Sequence, residues 1–223
     1  MSLSDGFSKA SFDFLAGLEK NNDREWFNAN KSRFKADVEA PFIDLLEALS
    51  NRLTDAKRPL MGGKTTLFRM NRDVRFSEDK SPYKTSVGGL LSPSGTKSEM
   101  AGIVYVHLDT AGGFAAAGYY NLSPKQLWPM RDAMVERAEA FDQVLSALQG
   151  SGRDLDRSMS LTAMPKGFSD HAEHRHAEVI KLKSLMVRHD LTKAAWLSGD
   201  VVDDVEALAR DAMPLLTFAE PGR

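Results

Sequence analysis

Between Gly102 and Tyr120 the chain reads GIVYVHLDTAGGFAAAGYY, and this alternation constrains the fold more than any other stretch. Successive side chains of a strand project oppositely, so Val104, Val106 and Leu108 share one face while Tyr105, His107 and Asp109 share the other. Thr110 to Gly113 supplies a turn. Phe114 to Tyr120 returns as a second strand, rich in Ala and Gly, whose small side chains admit close approach of another element or a ligand. A pair of strands with one apolar face needs a cover, and the flanking sequence is written for helices.

On the N-terminal side, Phe12, Leu15 and Leu18 recur at helical spacing after Ser8 and Ser11, which suit a cap, and Asn21–Asn22 ends that helix. A second helix opens at Asp23 with Trp26, Phe27, Phe34 and Val38 on its apolar stripe. Pro41 starts a third segment bearing Phe42, Leu45, Leu46, Leu49 and Leu53. The run from Arg58 to Lys64 breaks the pattern, after which Thr65–Met70 and Thr85–Leu91 read as strands. C-terminally, Ser123–Pro124 begins a helix that breaks near Glu139 and resumes toward Leu148, Leu182–His189 reads as a last strand, and Thr192 and Gly199–Asp200 introduce helices. The order predicts a single α+β domain over residues 1–223: a central, mostly antiparallel sheet of about four to six strands covered by N-terminal and C-terminal helices. Its parts are a helical stretch over 8–56, a sheet over 65–120 and a helical or mixed stretch over 123–216.

Composition removes several function classes. The formal net charge is -2, so any attraction for nucleic acid has to come from a local patch. There is no cysteine, which excludes disulfides, thiolate metal ligands and cysteine nucleophiles. No long apolar run is present for a membrane span, and the first ten residues lack the pattern of a secretory signal, which predicts a cytoplasmic protein.

The densest charge lies in Leu67–Thr85, LFRMNRDVRFSEDKSPYKT, where five cations (Arg69, Arg72, Arg75, Lys80, Lys84) mingle with three acids (Asp73, Glu78, Asp79) and the aromatics Phe68, Phe76 and Tyr83. Charges in such a run either neutralise one another or present cations to an outside anion. The guanidinium fork suits phosphate or carboxylate. On the second reading Arg69, Arg72, Arg75, Lys80, Lys84 and Tyr83 bind a phosphate-bearing or other anionic small ligand, with Asp73 and Asp79 orienting the cations.

The chain resembles an uncharacterised family, the domain of unknown function 2461. The resemblance rests on Phe14–Leu15, the run Asn21-Asn22-Asp23-Arg24-Glu25-Trp26-Phe27, Phe68–Arg69, Arg72 to Ser77 and Asp79 to Thr85. Gly118–Tyr119, Pro124, Leu127, Arg131, Pro165 to Phe168 and Asp170–His171 extend it over nearly the whole chain. Asn71 departs from the pattern, which has an aromatic there. The resemblance implies one domain of bacterial type and carries no particular activity with it.

Three further patterns invite chemistry. Tyr105, His107 and Asp109 on one strand face form a candidate acid–base group, the catalytic set if the protein is a hydrolase acting on phosphoryl or acyl esters; a merely polar sheet face is the plainer reading. Asp170 to His176 (DHAEHRH) has imidazoles and carboxylates but matches no metal-binding spacing, and no metal ligand is assigned there. Gly62-Gly63-Lys64-Thr65 fails as a phosphate loop because Arg58 stands where its first glycine belongs. The sequence leaves the cofactor unknown. The alternatives to ligand binding are a nucleic-acid or protein interaction module using Arg75, Phe76 and Tyr83, and a purely architectural motif that locks the first helices to the sheet.

Overall fold

The computed structural model describes residues 6–97 and 102–218. Its first quarter is helical: α1 (Lys9–Lys20), α2 (Arg24–Ala29), α3 (Lys31–Phe34), a π turn (Lys35–Glu39) and α4 (Ala40–Arg52). Ser8 caps α1 by accepting from the Ala10 N–H, and the Asp23 carboxylate caps α2 by accepting from the Trp26 N–H at 2.8 Å. Instead of a clean new start at Pro41, the chain runs through the π turn into α4. Proline has no N–H to offer the carbonyl four residues back, and its ring crowds that carbonyl; widening the preceding turn relieves both.

Four strands form one antiparallel sheet in the order β1 (Val87–Leu91), β2 (Ile103–Asp109), β3 (Gly112–Tyr119) and β4 (Leu185–Asp190). The register sets Tyr105 opposite Leu90 and Ala116, and His107 opposite Gly88 and Phe114; on β4, Arg188 lies opposite Ala116. Between β3 and β4 come α5 (Pro124–Glu136), α6 (Ala138–Gly150) and the short α7 (Ala177–Ile180); after β4 come α8 (Lys193–Ser198), α9 (Val201–Asp211) and α10 (Met213–Phe218). The break between α5 and α6 falls at Arg137, just before the expected position.

One face of the sheet is closed. Val104, Val106, Leu108, Ala115, Ala117 and Val187 are fully buried there, with α4 against β1 and α8, α9 and α10 against β3. Gly89 sets how closely α4 can approach, since a Cβ on it would lie 2.7 Å from Leu46 Cδ1. Arg131 of α5 ties the connection to the sheet: its buried guanidinium donates to the Ile180 carbonyl at 2.7 Å and the Leu182 carbonyl at 3.1 Å.

The expected strand Thr65–Met70 is absent. Lys64–Thr66 makes a single 3-10 turn, and only Leu67 bridges β1, at Gly89, with the Phe68 N–H donating to the Gly88 carbonyl at 2.8 Å. From there the chain leaves the sheet and folds back on itself, Asn71 bridging Tyr83. That fold-back uses the backbone groups a fifth strand would have given to β1.

Candidate functional site

The other face of the sheet is open and carries a cleft of about 610 Å³. Its floor comes from alternate residues of three strands, Ile103, Tyr105 and His107 of β2, Phe114, Ala116 and Gly118 of β3, and Met186 and Arg188 of β4. Strand periodicity and the register put them on one face. Phe68 and Lys84 form the wall on the β1 side. The opposite wall is the stretch Asp156–Met159, held along β4 by the Leu155–Val187 bridge and by the Asp156 N–H donating to the Met186 carbonyl at 2.8 Å.

Tyr105 and His107, two residues apart on β2, are hydrogen-bonded, with Oη 3.2 Å from Nδ1. His107 Nε2 faces Asp109 Oδ2 at 3.6 Å, and Asp109 is itself oriented by accepting from the Ala111 N–H at 2.8 Å. Phenol donation to Nδ1 leaves the ring proton on Nε2, toward the carboxylate. Burial pushes the Tyr105 phenol up, and burial lowers His107; Asp109 opposes the latter shift while Arg188 and Lys84 reinforce it. Near neutral pH the pair is therefore a phenol bonded to an uncharged imidazole. Gly88, directly opposite His107, makes room for the phenol, because a Cβ there would stand 2.4 Å from Tyr105 Oη.

Phe114 stacks on His107 at 4.8 Å and receives the Arg188 guanidinium over its ring at 3.9 Å. Since β3 lies between β2 and β4, the ring sits between the imidazole and the cation. Arg188 also pairs with the exposed Asp190 at 2.9 Å. Lys84 lies 5.6 Å from the Phe68 centroid and makes no ion pair among the described residues. Desolvation lowers its pKa, helped by Arg69. The cleft is thus largely aromatic and aliphatic, with Lys84 at one wall and Arg188 on the floor with the phenol–imidazole pair.

The central basic segment is mostly occupied by its own acids. Arg75 makes a two-pronged contact with Asp73 (Nε to Oδ1 2.9 Å, Nη2 to Oδ2 2.7 Å), and Arg72 bonds to Asp79. Bonds from Ser81, with the Arg72 contact, hold Asp79 well below the usual carboxylate range. Lys80 donates to the Val74 carbonyl at 3.1 Å. Tyr83 is buried with its ring flat on Phe27. Arg69 is exposed and lines a smaller hollow beside α3 instead of the cleft. Of the segment's five cations only Lys84 lines the cleft.

In the histidine-bearing loop, His176 is buried with Nε2 3.1 Å from the Ala138 carbonyl and 3.2 Å from Asp142 Oδ1. Its use is to fasten the loop to α6. Among the described residues no cluster of three His, Asp or Glu side chains has metal-site geometry.

A family model described as "Conserved hypothetical protein (DUF2461)" matches residues 10–218. The chain belongs to the DUF2461 family. No curated protein matches it. Among the described residues no helix is long and apolar enough to cross a membrane. Within this DUF2461 chain, the residues that sequence reasoning missed at the cleft are Arg188, Phe114, Phe68 and Asp156. Alternation along β4 would have placed Arg188 on the face of Met186. Which strand lay beside β4, and therefore which ring that cation covers, is a matter of pairing.

Proposed function

We propose that this protein binds a small anionic molecule with an apolar or aromatic body in the open-face cleft, and that the Tyr105–His107 pair exchanges a proton with it. The observation that carries this reading is the 3.2 Å Tyr105–His107 bond on the floor of a cleft that also brings in Lys84 and Arg188. Cations beside aromatic surface suit a ligand with a charged end and a flat or greasy end. A neutral imidazole backed by Asp109 accepts the phenol's proton as the phenol oxygen takes one from a ligand or its attacking water, which is general-base chemistry of the kind used on phosphoryl and acyl esters. On this reading the anion meets Lys84 and Arg188, while Arg72 and Arg75 stay paired with Asp79 and Asp73 outside the cleft. A cytoplasmic setting belongs to the same proposal and rests on composition.

Phenyl phosphate and benzoate are suitable probes, followed by calorimetry and by the side-chain NMR signals of His107. Binding that shifts those signals and weakens by about tenfold or more in Lys84→Met/Arg188→Met supports the assignment. Undiminished binding in that variant overturns it. For the chemical step, hydrolysis of 4-nitrophenyl phosphate and 4-nitrophenyl acetate should be lost together in Tyr105→Phe and His107→Gln; no turnover of either ester by the unaltered protein removes the hydrolase part and leaves the binding part standing.

A further inference from the structure

On the far side of Phe68 from the cleft lies a second hollow, of about 380 Å³, between the helical run α2–α3–π turn and the chain at 68–71. Phe68 lines both. Three cations border it, Lys31, Lys35 and Arg69, against one acid, Glu39, and the side-chain amides of Asn28 and Asn71 complete its polar rim. Asn28, Lys31, Lys35 and Glu39 recur at three- and four-residue spacing, which gathers them on one side of the helical run while Phe27, Phe34 and Val38 go to the core.

Lys31, Lys35 and Arg69 differ from most of the described arginines in facing no carboxylate at ion-pair distance. Arg33, Arg52, Arg72, Arg75, Arg153, Arg175, Arg188 and Arg210 each face a carboxylate within ion-pair distance. Among the described residues the side chains of Lys31, Lys35 and Arg69 make neither a hydrogen bond nor an ion pair, and those of Asn28 and Asn71 make no hydrogen bond. Like charges that outnumber the acids beside them repel one another, and an anion placed among them lowers that cost. Beneath them the Phe27 and Tyr83 rings, stacked at 4.0 Å, give the hollow a flat apolar base. Part of the rim is a π turn, a form frequent at functional sites.

We propose that this hollow is a phosphate-binding site, separate from the cleft, in which Arg69 supplies a two-pronged contact, Lys31 and Lys35 neutralise the remaining charge, and Asn28 and Asn71 donate from their amides. Its ligand class is a phosphorylated small molecule. Three cations suit a dianion or a pyrophosphate better than a monocarboxylate, and Glu39 at the rim disfavours a larger anion spreading past the cations.

The test uses the full chain and pyrophosphate, with sulfate as the comparison anion, in about 0.15 M salt to screen weak surface effects. The Asn28 and Asn71 side-chain amide signals are followed by NMR. Expected are saturable shifts with pyrophosphate, loss of affinity of about tenfold or more in Lys35→Met/Arg69→Met, and unchanged affinity in the exposed control Lys166→Met. Absent shifts, equal shifts with sulfate at the same concentration, or undiminished binding in Lys35→Met/Arg69→Met would each overturn it. All the substituted side chains are exposed or half-buried, so these variants fold. The cleft is read out separately, by phenyl phosphate and the His107 signals, so either site can fail alone.

Discussion

Asn22 holds Tyr83 by both edges of its side-chain amide: Nδ2 donates to the Tyr83 carbonyl at 3.0 Å, and Oδ1 accepts from the Tyr83 N–H at 3.1 Å. Tyr83 bridges Asn71 as a pair whose own backbone groups point outward, because the flanking bonds run from the Arg72 N–H to the Pro82 carbonyl and from the Lys84 N–H to the Met70 carbonyl. Asn22 thus stands in for a neighbouring strand. With the Phe27–Tyr83 stack, it joins the string Asn21–Phe27 to the string Ser81–Thr85, so part of the motif is architectural whatever its remaining residues bind.

Asn22→Ala leaves a partly buried N–H and carbonyl without partners and is expected to cost about 1–3 kcal/mol in urea unfolding. Tyr83→Phe should stay within about 0.5 kcal/mol, since no hydrogen bond from the hydroxyl is found among the described residues, whereas Tyr83→Ala should cost about 3–5 kcal/mol. Equal losses for Phe and Ala would show that the ring contributes nothing.

The His107 imidazole is expected to titrate below the ordinary value of about 6.5, because burial disfavours its charged form. The unfolded chain then takes up the proton first as pH falls. Stability from this group is complete above about 6.5 and is lost as pH drops through the lower folded value. Asp109→Asn removes the neighbour that raises it and should move the NMR midpoint lower still; Arg188→Met should move it up. A midpoint unmoved or raised in Asp109→Asn contradicts the assignment.

Gly88→Ala is expected to leave the fold intact and break the Tyr105–His107 bond. The new Cβ meets the far end of the Tyr105 side chain, Oη at 2.4 Å and Cζ at 3.0 Å, so the phenol swings aside more cheaply than the strand moves. The stability change should be about 1 kcal/mol or less. His107 Nδ1 should take on the nitrogen shift seen in Tyr105→Phe; a wild-type shift in Gly88→Ala would count against the contact.

Arg131→Leu should be among the costlier single changes in the connection, about 3 kcal/mol, because the Ile180 and Leu182 carbonyls lose a buried charged donor. Arg131→Lys, with one compact head in place of a fork, should recover less than half of that. Recovery to the wild-type midpoint by Lys would mean that charge, not the paired geometry, holds the connection.

Local rules made much of the fold legible. Period-two alternation located β2 and the polar face of Tyr105, His107 and Asp109, and the apolar stripes located the helices around Phe12, Phe42 and Val205. The expected strand at Thr65–Met70 shows where those rules stop: its β propensity is real, but its backbone partners are taken in part by the fold-back to Tyr83. The charge run was visible as a run. That Arg75 would turn to Asp73 and Arg72 to Asp79, leaving Arg69 beside α3, depended on how the loop closed.

The amino-acid order alone determined the α+β class, the alternation that gives β2 one apolar and one polar face, and the family to which the chain belongs, because each is written in short-range spacing or in unbroken strings of residues. Tertiary structure alone decided that Lys84 and Arg188, more than a hundred residues apart, face the same cleft, and that Lys31, Lys35 and Arg69 share another. Strand register and loop closure fix which distant side chains meet. Those are properties of pairing between segments, carried by neither segment alone.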